Sequence, residues 1–219
     1  GIGKADVFAQ INIVDSEKIE SYVKGNKIDY IYSVGSDIAV PTFCSVAENL
    51  NMFHFVSSRT ADVCCNKHLM REILGADNRF NVPFSVCSTL DEAKKQNFYP
   101  LMIKPVDSQG QRGVFRVENF EELMQKFDCA MQYSRCKKVI LEKYIYGSEV
   151  SVNAYVKDGE VIFSMLSDRE SFENMPGGII KAHHLPSAFE GTKTHEKINE
   201  LVSETVKKFE IENGPIYFQ

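Results

Sequence analysis

The chain has 219 residues, of which 43% are hydrophobic and 25% are charged, and its formal net charge is −5 at pH 7. This length can bury one large core or two small ones, and the negative balance argues against nonspecific nucleic-acid binding. No apolar run approaches the roughly 20 residues that span a bilayer, so we expect no membrane segment. The six cysteines lack CxxC spacing, and adjacent Cys64 and Cys65 favour a reducing, cytoplasmic compartment.

Residues 1–62 are predicted to alternate short apolar strands with helices. The expected strands are 5–8, 29–34 and 53–56, and the expected helices are 16–24 and 40–50. A β-α-β unit of this kind needs parallel neighbours on both sides of its strands. This segment is therefore expected to be part of a larger sheet.

Local signals farther along predict two helix starts and one hairpin. Thr89 and Asn119 each precede a glutamate by three residues, which is the spacing of a helix-capping box. Asp158-Gly159 separates two alternating apolar runs, 150–156 and 160–166. A tight turn between two such runs predicts a β-hairpin.

The most informative pattern is an apolar strand that ends in a lysine and is followed by a glycine-bearing loop. The run 101–103 is typical of a buried strand, so Lys104 arrives where the strand meets solvent and can aim its charge at a phosphate. Gly110 and Gly113 allow backbone conformations that other residues rarely adopt, and they let amide N–H groups approach an anion. The loop lacks the Gly-Lys-Ser/Thr ending of a Walker A motif. An ordinary hairpin turn is the alternative for the loop alone.

A second buried strand, 138–141, runs into residues 142–149 and then into an alternating strand. An extended segment that leaves a sheet can offer backbone N–H and C=O groups to the edge of adenine, and a carboxylate such as Glu149 can accept from ribose hydroxyls. The alternative for Glu149 is a solvated charge at a sheet edge. This order of parts suits ATP.

With these motifs in this order, the chain resembles an ATP-grasp enzyme, in the branch of carbamoyl phosphate synthetase large chains, biotin carboxylases, glycinamide ribonucleotide synthetases and amino-acid ligases. The shared pattern is Asn66-Lys67 with Arg71, then Val82-Pro83, then 100–114, then 142–149. The resemblance implies an α/β (α+β) chain with the ATP-grasp fold. Residues 1–62 then form part of a three-layer, Rossmann-like α/β domain that precedes the grasp, and residues 63–219 form the ATP-grasp domain.

The resemblance also implies where ATP binds. Lys67 and Lys104 are expected to hold its phosphates beneath the glycine-bearing loop, which acts as a lid. Residues 142–145 match the hinge that borders adenine, and Glu149 matches the ribose-binding carboxylate. The residues expected at ATP are Lys67, Lys104, Ser108, Gly110, Gly113, Glu142, Lys143, Tyr144, Ile145, Glu149 and His184. No side chain is assigned as a nucleophile.

Three of these assignments carry alternatives or departures. His184 matches a phosphate-contacting histidine, but a tandem histidine pair before proline can also fill a turn. Relatives usually have Asp where this chain has Asn66, and without the family Lys67 would be interpreted as a helix-surface lysine. Gln219 matches one ligand of the catalytic magnesium, and the strand with the main carboxylate would come next. The chain is therefore expected to be an internal fragment that lacks turnover by itself, or a split gene product.

The function implied by the resemblance is an ATP-dependent ligase that joins a carboxylate to an amine. The carboxylate attacks the γ-phosphate to give an acyl phosphate and ADP, and the amine then displaces phosphate. One alternative keeps the fold but uses bicarbonate, as in carbamoyl phosphate synthesis or biotin carboxylation. Another is a nonenzymatic ATP-binding module. The expected cofactors are ATP and Mg²⁺ or Mn²⁺, the expected partners are small-molecule carboxylate and amine substrates, and a homodimer is left open.

Overall fold

The computed structural model describes residues 5–33, 35–172 and 179–219. The chain divides into two compact units, Gly1–Cys65 and Asn66–Gln219. This division lies three residues after the predicted boundary at 62/63. Within the described ranges, no helix combines the length and the hydrophobicity that crossing a membrane requires.

The first unit contains helices but no strand among its described residues. Its helices are α1 (Ser16–Gly25), a 3-10 turn (Asp37–Ala39), α2 (Val40–Asn49) and α3 (Ser58–Cys65). The helices predicted over 16–24 and 40–50 are therefore confirmed. α1 begins after Asp15, whose carboxylate accepts from the backbone N–H of Lys18 and so satisfies one donor of the first turn.

The strands predicted at 5–8, 29–34 and 53–56 are wrong for the described residues, and position 34 lies outside these residues. Their apolar side chains are open to solvent: Val7 is 73% exposed, Tyr32 is 65% exposed and Phe53 is 56% exposed. A parallel strand is stable when flanking strands take its backbone hydrogen bonds and both of its faces are covered. The described part of this unit offers these segments neither condition.

The second unit begins with an antiparallel sheet in the order β1-β4-β2-β3. Its strands are β1 (Phe84–Cys87), β2 (Leu101–Pro105), β3 (Phe115–Val117) and β4 (Val139–Lys143), and its helices are α4 (Lys67–Leu74), α5 (Leu90–Ala93) and α6 (Phe120–Met131). Thr89 and Glu92 form the predicted capping box at α5, and Asn119 caps α6. Both predicted helix starts are confirmed.

A second antiparallel sheet follows in the order β7-β6-β5-β8. Its elements are β5 (Val150–Lys157), β6 (Glu160–Ser171), β7 (Ile180–His184), α7 (Lys193–Lys208) and β8 (Gly214–Phe218). The predicted hairpin between β5 and β6 is confirmed, because both Asp158 and Gly159 have positive φ, at 51° and 76°. Two successive residues of this kind give the turn whose twist matches paired strands.

Alternation along β2 separates a packed face from a polar one. Leu101 and Ile103 are fully buried against α5 and α6, together with Leu141 of β4. Because side chains alternate across a sheet, Lys104 extends from the opposite face. The core on one face of the first sheet thus fixes where this lysine emerges.

Candidate functional site

Lys67 lies at the start of α4 and reaches the loop that follows β2. Its backbone N–H donates to the carbonyl of Val106 at 3.0 Å, and its Nζ donates to the carbonyl of Ser108 at 2.6 Å. The preceding Asn66 caps the helix by accepting from the N–H groups of His68 and Leu69. Asn and Asp both accept hydrogen bonds in this position, so the departure from Asp leaves the helix start and its lysine in place.

Lys104 meets a buried carboxylate on the neighbouring strand. Its Nζ lies 2.5 Å from Oε2 of Glu142, whose side chain is only 5% exposed. On the other side, Nε of Arg71 lies 2.7 Å from Oε1 of the same carboxylate. Two cations from different elements, β2 and α4, therefore converge on one glutamate of β4.

The balance of charges keeps Glu142 ionised. Burial by itself raises the pKa of this carboxyl, because a charge is poorly stabilised away from water. The positive charges of Lys104 and Arg71 and their hydrogen bonds outweigh burial and lower the pKa of Glu142 to about 2. The three side chains together carry one net positive charge, which is suited to an anionic ligand.

The glycine-bearing loop after β2 adopts left-handed backbone conformations at both predicted glycines. Gly110 has φ of 68° and Gly113 has φ of 71°. A Cβ at Gly113 would lie 2.8 Å from the side chain of Tyr133 and 2.9 Å from that of Pro105, whereas a Cβ at Gly110 would meet nothing within 4 Å. The first glycine is required for conformation alone, and the second for conformation and space.

Asp107 anchors the base of this loop to the turn between α6 and β4. Its carboxylate accepts from the backbone N–H groups of Arg135 at 3.2 Å and Cys136 at 3.0 Å. Its own carbonyl accepts from the Arg135 guanidinium at 3.0 Å. The loop base is thus fixed where β2 ends, while the segment that contains Gly110 extends beyond the anchor.

In the hinge after β4, some backbone N–H and C=O groups are not used in the hydrogen bonds of the sheet. The N–H of Lys143 donates to Pro83 and the N–H of Tyr144 donates to Pro100, each at 2.9 Å. In an antiparallel pair of this kind the partner normally returns a bond, but proline has no N–H. The carbonyls of Lys143 and Tyr144 therefore receive no bond from these partners. The next N–H, that of Ile145, makes no hydrogen bond within the described part of the chain.

Two tyrosines of the hinge pack around an arginine of β3. Tyr144 and Tyr146 contact each other edge to face with ring centroids 4.9 Å apart. The guanidinium of Arg116 lies 4.3 Å from the centroid of the Tyr144 ring, and it donates to the hydroxyl of Tyr146 at 3.0 Å. Such cation–π contacts hold the hinge against the first sheet.

A cleft of about 460 Å³ opens beside Glu149, where the hinge enters the second sheet. It is lined by Gly147, Ser148, Glu149, Asp168, Arg169, Ser171, Ala188 and Phe189. A guanidinium nitrogen of Arg169 lies 3.3 Å from Glu149, and the Arg169 side chain is only 7% exposed. Its Nε is buried and makes no hydrogen bond in the described residues. Glu149, whose side chain is 63% exposed, therefore has a buried cation beside it.

The two remaining predicted residues lie on the second sheet. His184, at the end of β7, contacts the carboxylate of Glu170 at 2.8 Å rather than any of the predicted lysines. Gln219 directly follows β8 and is exposed. In the described ranges, no three or more His, Cys, Asp or Glu side chains cluster as metal ligands. The role of Gln219 at magnesium stays a prediction.

The structure thus brings together three parts of the predicted set: Lys67 with Ser108, Lys104 with Glu142, and Glu149 with the cleft. Sequence reasoning missed the roles of Arg71, Asp107 and Arg169. The signal for Arg71 was its spacing of four residues from Lys67, which puts both on one face of α4. Asp107 and Arg169 gave no local signal, because their partners lie far away in the chain.

These features define the class: an α+β chain in which two antiparallel sheets are joined by a hinge and carry a lysine-lined loop. The ATP-grasp domain family matches residues 97–219, which is more than half of the chain. The chain belongs to the ATP-grasp family. The predicted fold class is confirmed.

Among curated proteins, the chain is similar to the phosphoribosylamine–glycine ligase of Caldanaerobacter subterraneus subsp. tengcongensis, with 28% identity over 179 residues, which are 76% of this chain and 42% of the ligase. Two solved structures share the fold. The L-amino acid ligase of Bacillus licheniformis gives a TM-score of 0.70 at 22% identity, over 93% of this chain and 48% of that one. The second is the biotin carboxylase domain of Hydrogenobacter thermophilus 2-oxoglutarate carboxylase, in complex with MgADP and bicarbonate. It gives a TM-score of 0.78 at 19% identity, over 99% of this chain and 52% of that one. The chain spans about half or less of the length of these proteins.

The two loop glycines yield a matched pair of substitutions. Gly110→Ala introduces only the left-handed strain and is expected to lower the free energy of unfolding by about 1 kcal/mol. Gly113→Ala adds the clash with Tyr133 and Pro105 and is expected to lower it by about 2–4 kcal/mol. Urea unfolding followed by circular dichroism measures both. Equal losses would contradict the crowding at Gly113.

The buried carboxylate predicts an acid-sensitive contribution to stability. Because the folded pKa of Glu142 is lowered to about 2, below its unfolded value of about 4.3, its contribution is fully present above that unfolded value. It is lost as pH falls toward the folded value, and it amounts to at most about 3 kcal/mol. Glu142→Gln should therefore unfold with a shallower dependence on pH between about 4.5 and 2 than the wild type. Thermal unfolding at several pH values measures the slopes, with Glu200→Gln as the control, and parallel slopes for Glu142→Gln and wild type would refute the ion pair.

Proposed function

We propose that this chain is the nucleotide-binding part of an ATP-dependent ligase that joins a carboxylate to an amine. The observation that carries the proposal is the hinge: the carbonyl of Lys143 lacks a return bond, and the N–H of Ile145 makes none in the described residues. In an extended chain, groups two residues apart point to the same side. This acceptor and this donor can thus face one ligand edge together.

The edge of adenine has the matching groups. Its exocyclic amino group donates and the neighbouring ring nitrogen accepts, so the base can bond the carbonyl of Lys143 and the N–H of Ile145. Glu149, which lies beside Arg169 in the cleft, can accept from the ribose hydroxyls. The hinge and the cleft are continuous along residues 143–149, so base and sugar would lie along one stretch of chain.

The phosphates would lie toward the two lysines. Lys67 contacts the glycine-bearing loop from α4, and Lys104 lies at the end of β2, directly before that loop. Both lysines donate to acceptors that an anionic ligand can replace in part. The backbone around Gly110 can turn its N–H groups toward an anion. Closure of this loop over the phosphates would exclude water, which would otherwise hydrolyse a reactive intermediate.

The chemistry needs no side-chain nucleophile. An oxygen of the substrate carboxylate attacks the γ-phosphorus, the bond from that phosphorus to the bridging oxygen breaks, and ADP leaves with an acyl phosphate formed. The amine then attacks the acyl carbon, phosphate leaves and the amine loses a proton. Lys67 and Lys104 would act by positioning the phosphates and by offsetting the charge that moves with the phosphoryl group.

Magnesium fits this proposal with few protein ligands. It commonly bridges nucleotide phosphates while taking only one or two protein oxygens, and it neutralises charge on them. The exposed amide oxygen of Gln219 at the end of β8 can supply one such ligand. We include Mg²⁺ or Mn²⁺ in the proposal on this basis.

The cellular compartment is proposed from the cysteines. All six cysteines are free thiols, including the adjacent Cys64 and Cys65, which suits a reducing cytoplasm. We propose small-molecule carboxylate and amine substrates, in keeping with the ligases to which the chain is similar.

The reaction is tested by ADP release from the full-length protein with Mg²⁺ and ATP, against panels of amino acids, other amines and bicarbonate. Release that requires a carboxylate and an amine is expected. Release that responds to bicarbonate and to no amino acid would replace the proposal with a bicarbonate-dependent enzyme. Tight ATP binding without release under any condition would replace it with a nonenzymatic nucleotide-binding module.

Lys104→Ala in the same full-length protein is expected to lower ADP release by about 100-fold or more, because a positively charged contact to the moving phosphoryl group is removed. Lys207→Ala removes a surface lysine of α7 and is the matched control, with unchanged release expected. Wild-type ADP release from Lys104→Ala would refute the assigned role.

A further inference from the structure

The ion pair that holds Lys104 conflicts with the role proposed for it. Its Nζ lies 2.5 Å from Glu142. The ammonium has two further N–H donors for a phosphate, but moving the amine toward that phosphate lengthens and weakens the bond to Glu142. Glu142 is 5% exposed, and a buried carboxylate without a compensating charge is strongly unfavourable. Unless another cation stays behind, Glu142 would retain the lysine.

We propose that Arg71 is a positioning residue for nucleotide binding, and that it compensates Glu142 so that Lys104 can turn to the phosphates. This inference rests on the proposed function. Arg71 bonds Oε1 of Glu142 while Lys104 bonds Oε2, so departure of the lysine leaves the arginine bond intact. Glu142 then contacts one cation instead of two, and its single negative charge is still compensated.

Arg71 is itself fixed, which suits a cation that must not follow the lysine. One of its terminal nitrogens donates to the side-chain oxygen of Asn81 at 3.3 Å. The amide nitrogen of Asn81 donates back to the carbonyls of Arg71 at 2.8 Å and Gly75 at 3.0 Å. The end of α4 and the chain before β1 are thereby tied together around the guanidinium.

Helix α4 couples this role to the second lysine. Lys67 and Arg71 are four residues apart, so their side chains leave the same face of the helix. A single rigid element thus presents one cation to the glycine-bearing loop and another to the carboxylate that binds Lys104. A shorter lysine at position 71 would keep the charge but lose the bond through Nε.

The test is the affinity for ATP of four forms of the full-length protein: wild type, Arg71→Met, Glu142→Gln and the double variant. Arg71→Met should weaken ATP binding about tenfold or more, because Glu142 then retains Lys104. Glu142→Gln removes the charge that retains the lysine, so the double variant should return to within about threefold of the wild type. Isothermal titration calorimetry with ATP measures all four.

A matched control is the pair Arg79→Met and Glu200→Gln, an exposed ion pair of 2.6 Å in the same unit, which should leave ATP binding unchanged. If Arg71 only supports the fold, the double variant will bind no better than Arg71→Met, and this overturns the inference alone. If Arg71→Met does not fold, Glu142→Gln decides: binding at least as tight as wild type supports the inference, and a loss of tenfold or more overturns it. A full-length wild-type protein that binds no ATP overturns the proposed function and this inference with it.

Discussion

One buried carboxylate, Glu142, determines much of the arrangement of the second unit. It lies on β4, the strand that pairs with both β1 and β2, and its two oxygens bond a lysine of β2 and an arginine of α4. A carboxylate in this position is tolerated because cations compensate its charge, and here each of its oxygens has a cationic partner. The helix, the sheet and the start of the hinge are therefore fixed relative to one another by electrostatics as well as by packing.

The apolar core decides which way these charges face. β2 alternates, with Leu101 and Ile103 buried completely against the helices and Lys104 on the other side. Moving the register by one residue would bury the lysine and expose the leucine. The burial of apolar side chains, which is large in free energy and nonspecific, thus sets the position of the Lys104 charge.

Much of the second unit was predictable from local patterns. The strand before Lys104, the capping box at Thr89 and the Asp158-Gly159 hairpin each depend on residues that are neighbours in the sequence. The strands expected in residues 1–62 failed for the opposite reason, because a parallel strand depends on partners that no local pattern supplies. The site divides in the same way. The lysines and glycines belong to short motifs, whereas Arg71 with Glu142, separated by 71 positions, and Glu149 with Arg169 meet only through the tertiary fold.

The residues predicted to bind the nucleotide and the residue predicted to bind the metal differ in how many neighbouring groups the structure places beside them. The residues proposed to contact adenine and the phosphates come from α4, β2, β4 and the hinge, all within the second unit. His184 and Gln219 lie at the second sheet, and the imidazole of His184 contacts the carboxylate of Glu170. The described residues thus contain a more complete set of groups for the nucleotide than for the metal.

If the hinge binds a base as proposed, Pro83 has a consequence for the choice of that base. Any other residue at position 83 would carry an N–H able to close onto the carbonyl of Lys143, extending the sheet and withdrawing the acceptor. With proline there, the hinge presents an acceptor followed by a donor. Where adenine has the donor N6–H and the acceptor N1, guanine has the acceptor O6 and the donor N1–H. Guanine would therefore set an acceptor against an acceptor and a donor against a donor. Because the hydrogen bonds between the strands stop at Pro83, the hinge would therefore bind GTP less tightly than ATP.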